Sequence, residues 1–243
     1  MLEAAFKKGP KAIIVCNPSN PSGRVFTLNE LRIIADLAVK YDTFVITDEV
    51  YEHIVYKPYR HIYFSTLPGM AERTITCNSL SKTYSITGWR LGYVIAEDYI
   101  IDRVKKVHDF LTVGAAAPLQ EAVVTALGFD DSYYAELLDI YTDRKNLFIN
   151  GLKNLGFDYT DPQGAYYVMV NMEKYGVKND IEFCEWMARE VGVGAVPGSS
   201  FFNENINNYV RLHFAKSRDT LTEALSRLES LDKKAVAAHG NFR

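Results

Sequence analysis

The stretch Ala12-Ile13-Ile14-Val15-Cys16-Asn17-Pro18-Ser19-Asn20-Pro21-Ser22-Gly23 decides the fold class. Five apolar residues in a row, without polar alternation, are the pattern of a strand buried on both faces. The two prolines and the glycine then close it in a rigid loop. Downstream, Thr27-Leu28-Asn29-Glu30 has the spacing of a capping box, and Leu31, Ile34, Ala35 and Ala38 recur at helical intervals up to about Tyr41. A second apolar run, Phe44-Val45-Ile46-Thr47, ends in Asp48-Glu49, and a third, Thr74-Ile75-Thr76-Cys77, ends in Asn78-Ser79. Strand, helix, strand is the βαβ rhythm of a parallel sheet, which makes this an α/β chain. Gly92-Tyr93-Val94-Ile95-Ala96 reads as a fourth strand. Only about fifteen residues separate it from the third, too few for a full crossover helix, so it is predicted to run antiparallel.

Further out, residues 99–154 are helical in pattern, with interruptions near Gly114 and Pro118 and again near 128–132. After Gly156 the texture becomes α+β: a strand over 165–170, a helix over 180–191, a strand over 209–214 and a helix from Thr220 to about Leu231. The reading therefore divides the chain into residues 1–144, part of a large sheet domain, and 145–243, a smaller α+β domain. The tail from Ala235 reads as frayed. No internal repeat is visible.

The 243 residues are 48% apolar and 23% charged, a globular composition that excludes intrinsic disorder. With 27 basic against 30 acidic residues the net charge is −3, so no field favours nucleic acid or an anionic membrane. No apolar run approaches the ~18 residues of a membrane span, and the first residues lack the apolar core of a signal peptide. Cys16, Cys77 and Cys184 are scattered and odd in number, which suits packed thiols in a reducing cytoplasm.

Ligands of open α/β sheets bind outside the carboxyl ends of the strands. Three polar, irregular segments fall there: Asn20-Pro21-Ser22-Gly23, Asp48-Glu49-Val50-Tyr51 and Ser79-Leu80-Ser81-Lys82. Each has a plainer reading, as a turn, a helix-cap carboxylate or a solvated loop lysine. Their convergence on one sheet edge favours a site. The Ser79-to-Lys82 spacing also fits the S-x-x-K of penicillin-binding proteins, but the companions S-D-N and K-T-G are absent. The five histidines have no HExxH or paired-ligand spacing, so no metal is expected, and no glycine-rich loop cradles a nucleotide.

Taken in order, Asn17 to Gly23, Asp48-Glu49-Val50-Tyr51, Ser79-Leu80-Ser81-Lys82-Thr83-Tyr84-Ser85-Ile86-Thr87-Gly88-Trp89-Arg90-Leu91-Gly92 and Tyr209-Val210-Arg211 resemble the motifs of class I/II, fold-type I aminotransferases that use pyridoxal 5'-phosphate. Within that family His61-Ile62, Thr66-Leu67-Pro68-Gly69-Met70 and Thr87-Gly88-Trp89 look most like the kynurenine, glutamine and methionine branch. The resemblance implies a mainly parallel sheet with helices on both faces and a smaller α+β domain after it. It also implies roles. Lys82 would hold the cofactor as a Schiff base and shuttle the proton at the substrate's Cα. Asp48 would pair with the pyridine nitrogen, while Tyr51 and Asn20 would hydrogen-bond the phenolate oxygen. Ser79 and Arg90 would contact the phosphate, and Arg211 would grip the substrate α-carboxylate as a bidentate fork.

Complete members of the family carry a long portion ahead of the segment matching Ala12, including the helix N-terminus that cradles the phosphate. On that pattern the four strands of the first domain are contiguous, and both edges of their sheet are expected to be open. The family implies transamination between an L-amino acid and a 2-oxo acid, with 2-oxoglutarate as acceptor, in a homodimer. The alternatives are a shortened, weakly active product that works by association with a complementary or full-length subunit, and a β-lyase on the same cofactor.

Overall fold

The computed structural model describes residues 1–237. The chain divides into two compact units, Met1–Pro18 with Val25–Leu137, and Ser19–Arg24 with Leu138–Arg243.

In the first unit, strands β1 (Ala12–Cys16), β2 (Phe44–Asp48), β3 (Thr74–Ser79) and β4 (Gly92–Ile95) lie side by side in that order. β1, β2 and β3 are parallel, in a register that sets Cys16 beside Asp48 and Asp48 beside Cys77. β4 returns antiparallel, with Asn78 opposite Tyr93 and Ser79 opposite Gly92. The connection from β3 to β4 holds only the one-turn helix α3 (Leu80–Thr83) and a 3-10 turn at Thr87–Trp89, which leaves no length for a crossover. Helix α1 (Leu2–Phe6) precedes β1, and α2 (Leu28–Lys40) joins β1 to β2. The predicted capping box is formed: Glu30 N donates to Thr27 Oγ1 at 3.3 Å and Thr27 N to Glu30 Oε2 at 2.9 Å. Leu31, Ile34, Ala35 and Ala38 of α2 then pack with Phe6, Val15, Val45, Phe64 and Met70 in one buried cluster. Side chains alternate across a strand, so Val45, Thr47 and Glu49 share the buried face and Ile46 and Asp48 the other. Helices α4 (Asp98–Thr112) and α5 (Ala117–Leu127) follow, then α6 (Asp131–Asn154), along which the division between the units falls.

In the second unit β5 (Asp158–Tyr159), β6 (Tyr167–Asn171), β7 (Val196–Pro197) and β8 (Tyr209–His213) form an antiparallel sheet in the order β5-β6-β8-β7. β6 starts two residues later than its apolar run predicts, because Ala165 has a left-handed φ of 57° and cannot join the ladder. Helix α7 (Asp180–Trp186) is capped by Asn179, whose Oδ1 accepts from the N–H of Ile181 and Glu182. It widens into a π-helical turn over Met187–Val191 and ends at Gly192, φ 77°. Helix α8 (Arg218–Leu228) is followed by α9 (Leu231–Ala237), so Ala235–Ala237 are helical where fraying is expected; residues 238–243 lie outside the described part. Among the described residues no helix is long and apolar enough to cross a membrane, and no cluster of His, Cys, Asp and Glu could hold a metal ion.

Candidate active site

The carboxyl ends of the three parallel strands carry the candidate residues of the first unit. Asn17 N donates to Asp48 O and Glu49 N to Cys77 O, both at 3.0 Å, which carries the ladder one residue past β1 and β2. Asp48 Oδ1 accepts from Val50 N at 3.3 Å and turns the chain there, so that Tyr51 is buried three residues on. Asp48, Cys77 and Ser79 share the sheet face opposite Glu49 and Asn78. Burial and, after it, the Asp48 carboxylate raise the Cys77 thiol above its ordinary pKa, which keeps it protonated and inert.

Lys82 is half-buried on α3, directly beyond β3. A single turn does not pay its own nucleation cost, and here side chains hold it from both ends. Ser79 Oγ accepts from Ser81 N at 3.1 Å and donates to Leu91 O at 3.1 Å. At the other end Thr87 Oγ1 donates to Ser81 O at 3.3 Å and the Tyr133 hydroxyl to Thr83 O at 2.9 Å. Tyr84 stacks on Tyr133, and its hydroxyl lies 2.9 Å from that of Tyr134. Burial and that hydroxyl contact push the Tyr84 phenol well above its usual range. Arg90 is exposed at a left-handed φ of 56°, with Nη1 donating to Thr87 O at 2.8 Å.

The second unit holds the other two predicted residues together. The short segment Ser19–Arg24 is closed by Ser19 N to Arg24 O at 2.8 Å and Gly23 N to Ser19 O at 2.9 Å. Gly23 has φ 69°, and its carbonyl accepts from the N–H of both Gln163 and Gly164. A Cβ there would lie 3.0 Å from Tyr167 O, so only glycine fits. Asn20 Oδ1 thus reaches Arg211, whose Nη1 donates to it at 2.6 Å across 191 residues of chain. The Arg211 guanidinium lies 4.4 Å from the centroid of the Tyr167 ring and 4.7 Å from that of Phe201. These aromatic contacts hold the fork while leaving its edge for hydrogen bonds. Sequence reading missed both rings, since Tyr166-Tyr167 marks only a strand and Phe201 carries no motif.

In sum, the first unit gathers Asp48, Tyr51, Ser79, Lys82 and Arg90 on the segments that leave β2 and β3, and the second pairs Asn20 with Arg211. Residues 1–228 match the family model for aminotransferases of class I and II. A probable N-succinyldiaminopimelate aminotransferase of Mycobacterium tuberculosis is 35% identical over 96% of this chain and 61% of its own length. Human kynurenine–oxoglutarate transaminase 3 is also 35% identical, over 92% of this chain and 54% of its own. The solved N-succinyldiaminopimelate aminotransferase from Mycobacterium tuberculosis superposes with a TM-score of 0.87 at 38% identity, covering 91% of this chain and 58% of that one. The chain spans 54% to 61% of the length of these relatives. Kynurenine transaminases are among its relatives, together with an aspartate aminotransferase of Pyrococcus abyssi that is 38% identical over 91% of this chain and 57% of its own length. The motif order, the sheet and the similarity agree, and the chain belongs to the class I and II aminotransferases, fold-type I enzymes that depend on pyridoxal phosphate.

Proposed function

We propose that this chain carries pyridoxal phosphate on Lys82 and moves the amino group of an L-amino acid to a 2-oxo acid, with 2-oxoglutarate as acceptor. One observation carries the reading: adjacent parallel strands end in a carboxylate, Asp48, and in a capped turn bearing a primary amine, Lys82. The donor set fits the group. It offers an acid for a pyridinium nitrogen, an amine for an aldehyde, and a guanidinium, Arg90, for a phosphate, to which Ser79 would add its hydroxyl on turning from Leu91 O. When bound, the cofactor supplies a sink for the negative charge that develops at the substrate's Cα.

The chain's own residues do the rest. Lys82 attaches the cofactor and, once its amine is free, takes the proton from Cα and returns it. Asp48 keeps the ring nitrogen protonated, because a carboxylate stabilises a positive charge beside it. Tyr51, buried in this structure, would hold the ring's phenolate oxygen through its hydroxyl. In the second unit Arg211, held by Asn20 and flanked by Tyr167 and Phe201, receives the substrate carboxylate along the free edge of its fork. Two parallel hydrogen bonds orient a carboxylate as a single one does not.

Borohydride reduction with pyridoxal phosphate, digestion and mass mapping test the assignment: the label is expected on Lys82, and a label on another lysine refutes it. Lys82→Ala is expected to lower transamination by several orders of magnitude, since attachment and proton transfer are lost together. Asp48→Asn is expected to fold normally and turn over poorly. Near-normal turnover would remove Asp48 from the chemistry, and a loss of stability alone would make it a turn-capping residue.

A second reading, association with another copy or a complementary chain, is favoured by apolar side chains left in solvent. Ile95 on β4 is 61% exposed, and Phe110 and Leu111 on α4 are 92% and 76% exposed. Sedimentation is expected to show concentration-dependent association. A chain that stays monomeric and fully active removes this reading.

A further inference from the structure

On the sheet face opposite Asp48, the carboxylate of Glu52 meets polar side chains from three separate stretches of the first unit. Asn78 Nδ2, on β3, donates to Glu52 Oε1 at 2.6 Å. The phenols of Tyr63 and of Tyr93, on β4, face the same carboxylate, and burial together with that charge raises the pKa of both. His53 Nε2 lies 3.6 Å from Oε1. The Glu52 side chain is only 9% exposed, and Asn78 is buried as well. The Asn78 amide donates, and a carboxylate is the side chain that offers only acceptors. A neutral amide in its place would bring a donor as well.

The place of this hub in the sheet gives it a consequence. Asn78 and Tyr93 face each other in the β3–β4 ladder, and the next rung pairs Ser79 with Gly92. Ser79 is the residue that caps the turn bearing Lys82. Glu52 itself follows Tyr51 on the segment leaving β2, four residues past Asp48. The rung is tight: a Cβ on Gly92 would lie 2.7 Å from Asn78 O. Beside the hub, Glu49 Oε2 and His61 Nε2 are 2.6 Å apart and buried, which ties the same segment to the chain at residue 61.

We propose that Glu52 is a positioning residue, which clamps the Asn78–Tyr93 rung to the segment leaving β2 and so holds the Lys82 turn and Asp48 at one sheet edge. The functional part rests on the reading of Lys82 and Asp48 given above; the mechanical part does not. Glu52 touches neither cofactor nor substrate in this scheme. It acts by fixing the frame from which Ser79, Lys82, Asp48 and Tyr51 project.

The test is Glu52→Gln in the full chain, with three measurements, two of them free of cofactor. Phenol ionisation followed by ultraviolet absorbance reads the hub itself. Burial first, and then the Glu52 carboxylate, push Tyr93 up to about 12, with Glu49 and Tyr134 also facing it. The substitution is expected to bring that ionisation lower while burial and Glu49 keep it above an ordinary phenol. Amide hydrogen exchange over residues 79–84 is expected to quicken about tenfold, with the α2 cluster unchanged. With pyridoxal phosphate and borohydride, the share of label on Lys82 relative to other lysines is expected to fall several-fold. If Glu52→Gln unfolds the chain, Tyr93→Phe removes a single polar group facing Glu52 at a partly exposed position and is expected to move exchange in the same direction by less. Unchanged phenol ionisation, or wild-type exchange over 79–84, overturns the proposal. A wild-type label on a different lysine refutes the cofactor reading instead, and exchange and ionisation still decide on Glu52.

Discussion

Val168, Val170, Val210 and Phe214 of the second unit are fully sealed from solvent, whereas in the first unit every residue of β4 is exposed, Ile14 on β1 is 74% exposed and α4 carries apolar side chains in water. Both units draw on the same apolar residue types, so composition does not account for the contrast. The second unit covers the inner face of its sheet with its own helices. The first seals only the sheet face that packs on α2, and the face bearing Asp48 and Ser79 stays open. The apolar surface left exposed in the first unit is surface that another chain or segment can cover.

Phe214→Ala breaks the contrast from the sealed side. It removes a fully buried ring, and a loss of about 3–5 kcal/mol is expected by chemical denaturation. A loss below about 1 kcal/mol would mean that the second unit is packed no better than the first.

Arg211→Lys separates chemistry from packing inside that sealed unit. A point charge replaces a planar fork held between aromatic rings, so kcat/KM is expected to fall by about tenfold or more for every amino acid tried, with KM and turnover both affected. An effect confined to acidic substrates would place Arg211 at a side-chain pocket.

Phe110→Ser sharpens the comparison from the open side. At a side chain almost wholly in solvent the change in stability is expected to stay within about 0.5 kcal/mol, while self-association measured by sedimentation weakens. Undiminished association would move the contact surface away from α4.

The smallest effect concerns acid. Burial, then Lys216 and Arg211, lower the pKa of His213 below that of a free histidine. The unfolded chain therefore binds the proton first. The stability this contributes is fully present above about pH 6.5 and is lost as pH falls through the lower folded value. Because the imidazole still reaches solvent, less than about 1 kcal/mol is expected. Thermal midpoints between neutral and mildly acid pH should fall less in His213→Gln than in wild type, and parallel curves would assign the acid sensitivity elsewhere.

What the sequence showed and what it hid divide along contact distance. β1 to β4, the antiparallel return and the Thr27–Glu30 box were legible because each is set by neighbouring residues, through alternation, turn chemistry and connection length. The segments bearing Asp48 and Lys82 were legible for a related reason, since strand ends in a parallel sheet are where polar, irregular residues gather. Periodicity carries no information on which distant donor meets which acceptor. Glu52 with Asn78, the Tyr133 hydroxyl with Thr83 O, and Asn20 with Arg211 are joined across 26, 50 and 191 residues, and none has a local signature. The shift of β6 was hidden in the same way, by the left-handed turn at Ala165.

The short stretch Ser19–Arg24 has a practical side. Lying between β1 and α2 in the chain, it belongs physically to the second unit, where the Gly23 carbonyl answers two backbone N–H groups and Asn20 answers Arg211. The second unit is therefore discontinuous in the gene, and no single cut frees it whole. A fragment starting at Leu138 would leave the amides of Gln163 and Gly164 without those acceptors and the guanidinium without its amide. Recombination between relatives faces the same rule: a crossover that exchanges the carboxyl-terminal half must bring the 19–24 loop with it, or the hybrid inherits a guanidinium aimed by someone else's asparagine.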